Sequence, residues 1–116
     1  MMEKIELKSG QRVFSAGEKS DGMYLLVKGS IGIFLPNNDT KDPNFNIGEN
    51  EIFGEMGVIE NELRMADAKC MSDCTLIKVT QKEFDKKVEE TDLFVRHSLF
   101  VVSSRLREVE KSLRNK

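Results

Sequence analysis

Short apolar runs separated by glycine make up the first two thirds of the chain. All eight glycines fall between Gly10 and Gly57. Seven segments have the length and apolar character of strands, and turn-forming residues bound most of them. They are residues 5–7, 12–14, 23–27, 30–35, 45–47, 66–70 and 75–79. Many short strands with regular turn signals predict a sandwich or a barrel-like roll.

Two hairpins are predicted within this region. The run 23–27 and the run 30–35 are expected to pair, with Lys28, Gly29 and Ser30 as the turn between them. Side chains alternate along a strand, so Met23, Leu25 and Val27 share one face of the first run. Residues 36–43, which are rich in Asn and Asp, predict the polar tip of a hairpin.

The pattern changes to a helical one after residue 79. Thr80 followed by Glu83 is a capping-box signature, which predicts a helix from there to about Glu90. Thr91 or Asp92 then begins a second helix that runs to the end of the chain. Its apolar residues are spaced alternately four and three apart, which is a heptad seam of nearly three repeats. The seam consists of Val95, Leu99, Val102, Leu106, Val109 and Leu113.

Two interpretations of this seam stay open. It packs on the roll, or it pairs with a second copy of the chain or with a partner protein. The two are not exclusive, because one end can pack while the other pairs. With the strands in about residues 4–79 and the helices in about 80–116, we expect one α+β domain over residues 1–116.

Composition and charge exclude several classes of protein. The 116 residues carry 18 basic and 20 acidic side chains, a formal net charge of −2, and only the last third is locally basic. A phosphate-binding stripe is therefore not expected, and we predict no nucleic-acid partner. The apolar runs are too short to cross a bilayer and the start does not resemble a signal peptide, so we predict no membrane partner and a cytoplasmic protein.

Candidate catalytic and metal-binding groups are few. Three residues separate Cys70 from Cys74, and His97 is the one histidine, so we expect reduced thiols and no metal site. Ser103 and Ser104 have no His–acid pair at a recognisable spacing. An enzyme is therefore not predicted.

The segment 53–66 carries the residues with binding chemistry. Gly54 lets the backbone approach a ligand closely and precedes a short predicted helix with free N–H groups. Glu55 can accept hydrogen bonds from sugar hydroxyls, and Arg64 can direct a planar guanidinium at two phosphate oxygens. Together they are the groups needed to hold a ribose joined to a phosphate.

Fourteen residues in this order resemble the cyclic nucleotide-binding domain, the module found in the catabolite activator protein and in regulatory subunits of cAMP-dependent kinase. They are Gly10, Val13, Phe14, Gly17, Tyr24, Leu25, Gly29, Gly48, Phe53, Gly54, Glu55, Arg64, Met65 and Ala66. The resemblance implies an eight-stranded antiparallel β-roll (jelly-roll-like), a short helix inside a phosphate-binding cassette at 53–66, and C-terminal helices that move on binding.

The resemblance also implies roles for individual residues. Glu55 would hold the ribose 2′-hydroxyl and Arg64 the cyclic phosphate. Backbone and apolar contacts would come from Gly54, Met56, Met65 and Ala66, with Phe45 and Val109 as base contacts. Met65 stands where a hydroxyl often favours guanine, so cAMP is expected over cGMP as the regulatory ligand.

The implied function is a regulatory sensor that binds a cyclic nucleotide and signals through its C-terminal helix, residues 95–113. The alternative is a roll that no longer binds nucleotide and serves as a dimerisation or partner-interaction module. Met65 and Asp67 favour the alternative, although strand alternation is expected to turn Asp67 away from the ligand. The chain starts almost on its first strand and ends after its last helix, which fits either a free-standing sensor or a piece of a longer protein.

Overall fold

Eight strands form two antiparallel four-stranded sheets, as expected for a β-roll. The structure is a computed structural model, which describes residues 2–114. One sheet has the order β1-β8-β3-β6 and the other has the order β2-β7-β4-β5. The strands are β1 Glu3–Leu7, β2 Arg12–Phe14, β3 Gly22–Lys28, β4 Ile31–Phe34, β5 Phe45–Ile47, β6 Ile52–Phe53, β7 Asp67–Cys70 and β8 Cys74–Thr80. The two-residue strand β6 is the one that the apolar pattern missed.

The predicted hairpin between β3 and β4 is wrong. The two strands belong to different sheets, and residues 28–30 carry the chain from one sheet to the other. The amides of this turn bond elsewhere, since Gly29 N–H donates to Glu49 Oε2 at 3.1 Å and Ser30 N–H donates to Ser72 Oγ at 3.0 Å. The polar segment 36–43 does join a paired hairpin, because β4 pairs with β5 in the register Ile33 to Phe45.

The core lies between the two sheets. Tyr24 and Leu26 of β3 point into it, so Met23, Leu25 and Val27 occupy the outer face of the same strand. Cys70 and Cys74 are free, buried members of the core cluster, which confirms the prediction of reduced thiols. Burial, and next the neighbouring Cys74, raises the pKa of the Cys70 thiol to about 12, which keeps it protonated and unreactive at neutral pH.

Three helices complete the fold: α1 Glu55–Glu60, α2 Gln81–Glu89 and α3 Leu93–Arg114. The predicted capping box is present, with the Thr80 side chain bonded to the Glu83 amide and the Glu83 side chain bonded to the Thr80 amide. Of the two residues predicted to begin the last helix, Asp92 caps it, because its Oδ1 accepts from Phe94 N–H at 2.8 Å.

The apolar seam of α3 is mostly exposed. Val102 is 54% exposed and Val95, Leu106, Val109 and Leu113 are also exposed, while Leu99 is half-buried. Among the described side chains of this helix, Ser103 alone is buried, and it lines a groove together with Met56 and Ile59 of α1. Most of the seam is therefore left uncovered by the roll, and its partial burial is at Leu99, beside α1. None of the helices in residues 2–114 is long and apolar enough to traverse a bilayer.

Candidate functional site

A cavity of about 160 Å³ lies where the second sheet meets α1 and α3. Seven of the eight predicted ligand contacts line it, and these are Phe45, Gly54, Glu55, Met56, Arg64, Met65 and Ala66. Val109, the predicted base contact on the helix, does not line the cavity and is 57% exposed. Arg107 and Glu110 line it from α3, because residues three apart share a helix face that Val109 does not share.

Gly54 allows the backbone of the cassette to approach Arg64 closely. It adopts φ 77° as the N-cap residue of α1, in the left-handed region that glycine enters without a steric penalty. A Cβ atom here would lie 3.0 Å from Arg64 Nη1 and 3.1 Å from the Phe14 ring. The glycine therefore lets the arginine side chain pack directly against the cassette backbone.

Arg64 is buried in the cavity wall, with 2% of its side chain exposed. Its Nη1 donates to the Gly54 carbonyl at 2.7 Å and its Nη2 donates to the Gly22 carbonyl at 2.5 Å. The guanidinium carbon lies 4.2 Å from the centroid of the Phe14 ring, a cation–π contact. Among the described residues, no group accepts a hydrogen bond from its buried Nε. Burial, which is opposed by Tyr24 and Asp21, lowers the pKa of Arg64 from its usual value.

Asp21 and Lys78 form an ion-pair cluster beside Arg64. Asp21 lies 3.7 Å from Arg64 Nη2 and 2.9 Å from Lys78 Nζ. Burial works to raise the pKa of Asp21, but the hydrogen bond and charge of Lys78, with that of Arg64, outweigh it and lower the pKa. Asp21 therefore stays ionised at neutral pH and shares its charge between the two cations.

Glu55, the first residue of α1, is half-buried in the cavity wall. Burial raises the pKa of its carboxyl group, although its own backbone and the charge of Arg64 act in the opposite direction. This carboxylate and the guanidinium of Arg64 thus line one cavity. The pair supplies an acceptor for hydroxyl groups and a cation for an anionic group.

Asp67 is turned away from the cavity, as strand alternation predicted. Its Oδ1 accepts from the Ala16 amide at 2.8 Å, and its Oδ2 lies 3.7 Å from Arg12 Nη2. The carboxylate therefore presents no negative charge to an anion bound near Arg64. Met65 does line the cavity and is half-buried.

Sequence reasoning missed several residues around the cavity. Phe14 belongs to the resemblance without a role of its own, and its position under the Arg64 guanidinium depends on the pairing of β2 with β7. Asp21 carries no local signal, because its partners lie 43 and 57 positions further along the chain. The sequence around Arg107 and Glu110 is typical of a solvated helix face. Only the docking of α3 on α1 brings these two residues to the cavity.

The sequence profile described as "Cyclic nucleotide-binding domain" matches residues 4–91. The chain belongs to this family. It is 27% identical over 109 residues to the cAMP-activated global transcriptional regulator CRP of Pasteurella multocida, an alignment that covers 92% of this chain and 52% of the regulator.

Solved structures show the same similarity. The cGMP-bound form of the EAL enzyme Bd1971 has a TM-score of 0.84 and 32% identity over 95% of this chain and 30% of the enzyme. Its cAMP-bound form has a TM-score of 0.82 and 30% identity over 96% of this chain and 30% of the enzyme. The chain thus spans about half of the curated regulator and less than a third of the structurally similar enzyme.

Proposed function

We propose that this domain is a regulatory sensor that binds a cyclic nucleotide in the cavity between the roll and α3, with cAMP favoured over cGMP, and signals through α3. Membership of the family supplies the ligand class. The structural relatives carry both nucleotides in their described forms, so the preference between them rests on the residues of this chain.

Arg64 carries the proposal. A guanidinium buried in an apolar wall requires partners, and its Nε has none among the described residues. Each Nη has a second N–H beyond the one that holds it to a backbone carbonyl. A cyclic phosphate placed against Arg64 would supply further acceptors and add its negative charge to that of Asp21, which lies 3.7 Å from Nη2.

The remaining contacts follow from the chemistry of the wall. The Glu55 carboxylate can accept from the ribose 2′-hydroxyl, and the first-turn amides of α1 have no intrahelical partner. Phe45 and the apolar side chains of Ile33 and Ile47 offer a surface for the purine. Met65 presents a thioether where a hydroxyl would favour guanine, and this supports cAMP.

α3 is the proposed output element. Glu55 and Met56 line the nucleotide cavity and also an apolar groove between α1 and α3 that includes Val95, Leu99 and Val102. A ligand that moves α1 would therefore change the surface next to the seam. We propose that the exposed seam pairs with a second copy of the chain, or docks a partner protein, in a way that depends on the ligand.

A second candidate function is a dimerisation or interaction module that binds no nucleotide. Two observations favour it. Both Nη groups of Arg64 already donate to protein carbonyls, and the exposed seam needs no ligand in order to pair.

Calorimetric titration with cAMP and cGMP separates the two functions. Arg64→Lys keeps the charge but loses the planar fork, so we expect its affinity for cAMP to fall by about tenfold to a hundredfold. Arg12→Lys is the matched control, because Arg12 is exposed and lies outside the cavity. Its affinity should equal that of the parent.

Thermal unfolding without ligand checks that every variant is folded. If the folded parent binds neither nucleotide and still self-associates, the interaction module is the correct function. Equal affinities in Arg64→Lys and the parent would remove Arg64 from the site.

A further inference from the structure

The edge strands of the two sheets differ in how readily they can accept another strand. β6 has two residues, β5 has three and begins two positions after Pro43, and the register of β2 shifts between Arg12 and Phe14. Short strands, proline and an irregular register each hinder the addition of a strand. β1 has none of these features. Its residues Glu3–Leu7 pair with β8 in one unbroken register, and its other side has no partner strand among residues 2–114.

The groups along the free side of β1 suit a further strand. Ile5 and Leu7 pack against the core cluster, so strand alternation puts Lys4 and Glu6 on the outer face. These two side chains are 70% and 72% exposed, and Lys4 Nζ lies 3.6 Å from Glu6 Oε1. Half of the backbone N–H and C=O groups of an edge strand point away from its one neighbour. The edge of β1 therefore combines hydrogen-bonding groups with one positive and one negative side chain.

An antiparallel copy of the same strand complements this charge pattern. When two β1 strands pair about a two-fold axis at Ile5, Lys4 of each strand lies opposite Glu6 of the other. Ile5 then lies opposite Ile5, and Glu3 lies opposite Leu7. Directly opposite side chains are about 4.5–5.5 Å apart, within reach of an ion pair. An axis at residue 4 or at residue 6 instead places two lysines or two glutamates opposite each other, so the charges select one register.

We propose that β1 is a self-pairing edge, through which two copies of this chain join their sheets into one continuous sheet of eight strands. This surface is separate from the seam of α3, and its pairing requires no nucleotide. A five-residue edge buries much less than the roughly 1,200 Å² of a stable interface, so we expect a Kd of about 0.1–1 mM. At micromolar concentrations the edge stays unpaired. A dimer formed through α3 would carry two such edges, which can join dimers where the local concentration is high.

Charge variants test the proposal in the Val102→Asp background, in which a charge in the seam opposes pairing through α3. Lys4→Glu makes both outer residues of β1 acidic, Glu6→Lys makes both basic, and the double variant exchanges the two charges. Sedimentation equilibrium up to about 1 mM measures the self-association of each protein, and thermal unfolding checks that it is folded. Lys41→Glu is the matched control for net charge, because Lys41 is exposed and lies between β4 and β5 of the other sheet.

We expect Lys4→Glu and Glu6→Lys each to weaken self-association by about tenfold, because both opposite pairs then repel. The two substitutions change the net charge in opposite directions, so net charge cannot explain a loss in both. The double variant and Lys41→Glu should associate like the parent, and a mixture of the two single variants should form a mixed dimer. A parent that stays monomeric up to about 1 mM, single variants that associate as tightly as the parent, or a mixture that does not associate would each overturn the proposal.

Discussion

Arg64 and Glu55 bring opposite charges to one partly dehydrated cavity, and burial acts against the charged form of both. It lowers the pKa of the guanidinium and raises that of the carboxyl group. A ligand with an anionic group for Arg64 and a hydroxyl for Glu55 would relieve both costs. In the domain without ligand, the burial of these two charged groups is therefore unfavourable, and both lie at the proposed nucleotide site.

Glu55→Gln is expected to separate stability from binding. A carboxyl group whose pKa is raised in the folded state adds stability below its unfolded pKa and loses that stability as the pH rises. At neutral pH the amide should therefore raise the melting temperature, measured calorimetrically. Affinity for cAMP should fall by about tenfold, because the acceptor for the ribose hydroxyl loses its charge. A variant with lower stability and unchanged affinity would remove Glu55 from the site.

The pH dependence of binding follows from the same group. Protonation of Glu55 removes the ionised acceptor, so affinity for cAMP should decrease as the pH is lowered from about 7 to about 5. Asp21 has a lowered pKa and stays ionised over this range. Titrations with cAMP at several pH values, for the parent and for Glu55→Gln, check this. The change of affinity with pH should be smaller in the variant, because the contribution of Glu55 is removed. Parallel slopes would assign the dependence to another group.

Residues 53–66 could be placed from the sequence because their chemistry is local. Glycine with a positive φ, an acid and an arginine follow one another within one cassette, and the cavity brings them together. Asp21, Glu60 and Arg107 could not be placed, because their positions depend on contacts between distant elements. The family resemblance pointed to Val109 as the base contact on the helix, but the docking of α3 on α1 puts Arg107 and Glu110 at the cavity instead.

Among the elements, α3 departs most from an ordinary surface helix. Its apolar residues Phe94, Val102 and Leu106 are exposed, Phe94 by 84%. The heptad spacing identifies the seam, and the structure shows that all of it except Leu99 is exposed. The predicted β3–β4 hairpin failed because a Lys-Gly-Ser turn serves equally well to cross between sheets, and local sequence does not distinguish the two uses.

A charged residue introduced into the seam is expected to dissociate the proposed dimer without unfolding the domain. Val102→Asp places a charge at the centre of the proposed pairing surface, where the side chain is 54% exposed in the single chain. Light scattering after size exclusion should show a dimer for the parent and a monomer for the variant, with similar melting temperatures for the folded roll. Ser104→Asp is the control, since Ser104 is exposed and lies off the seam. A parent that is monomeric at all concentrations would leave only a partner protein for this surface.

In the molecule as a whole, the cavity is bounded by the roll and by α3, and different interactions hold these two parts in place. The roll has an apolar core between its sheets, whereas α3 is attached through the Arg107–Glu60 ion pair and leaves most of its apolar side chains exposed. Segments held by few apolar contacts open locally at low free-energy cost, so α3 is the element most able to change position.

Hydrogen exchange should report this difference. Saturating cAMP is expected to slow exchange of amides in residues 95–110, while the β3 amides in the core change little because they are already protected. Mass spectrometry of the exchanged peptides measures it. Equal exchange of α3 with and without cAMP would contradict its role as the output element.

Titration of the ¹⁵N-labelled domain with cAMP, followed by two-dimensional NMR, shows directly whether the nucleotide enters the cavity between the roll and α3. We expect saturable shifts in the amides of Gly54, Glu55, Gly57 and Ala66, which line the cavity. The amides of α2, which lies outside the cavity, should stay in place. A folded spectrum that cAMP leaves unchanged, or shifts confined to residues outside the cavity, would contradict binding in this cavity.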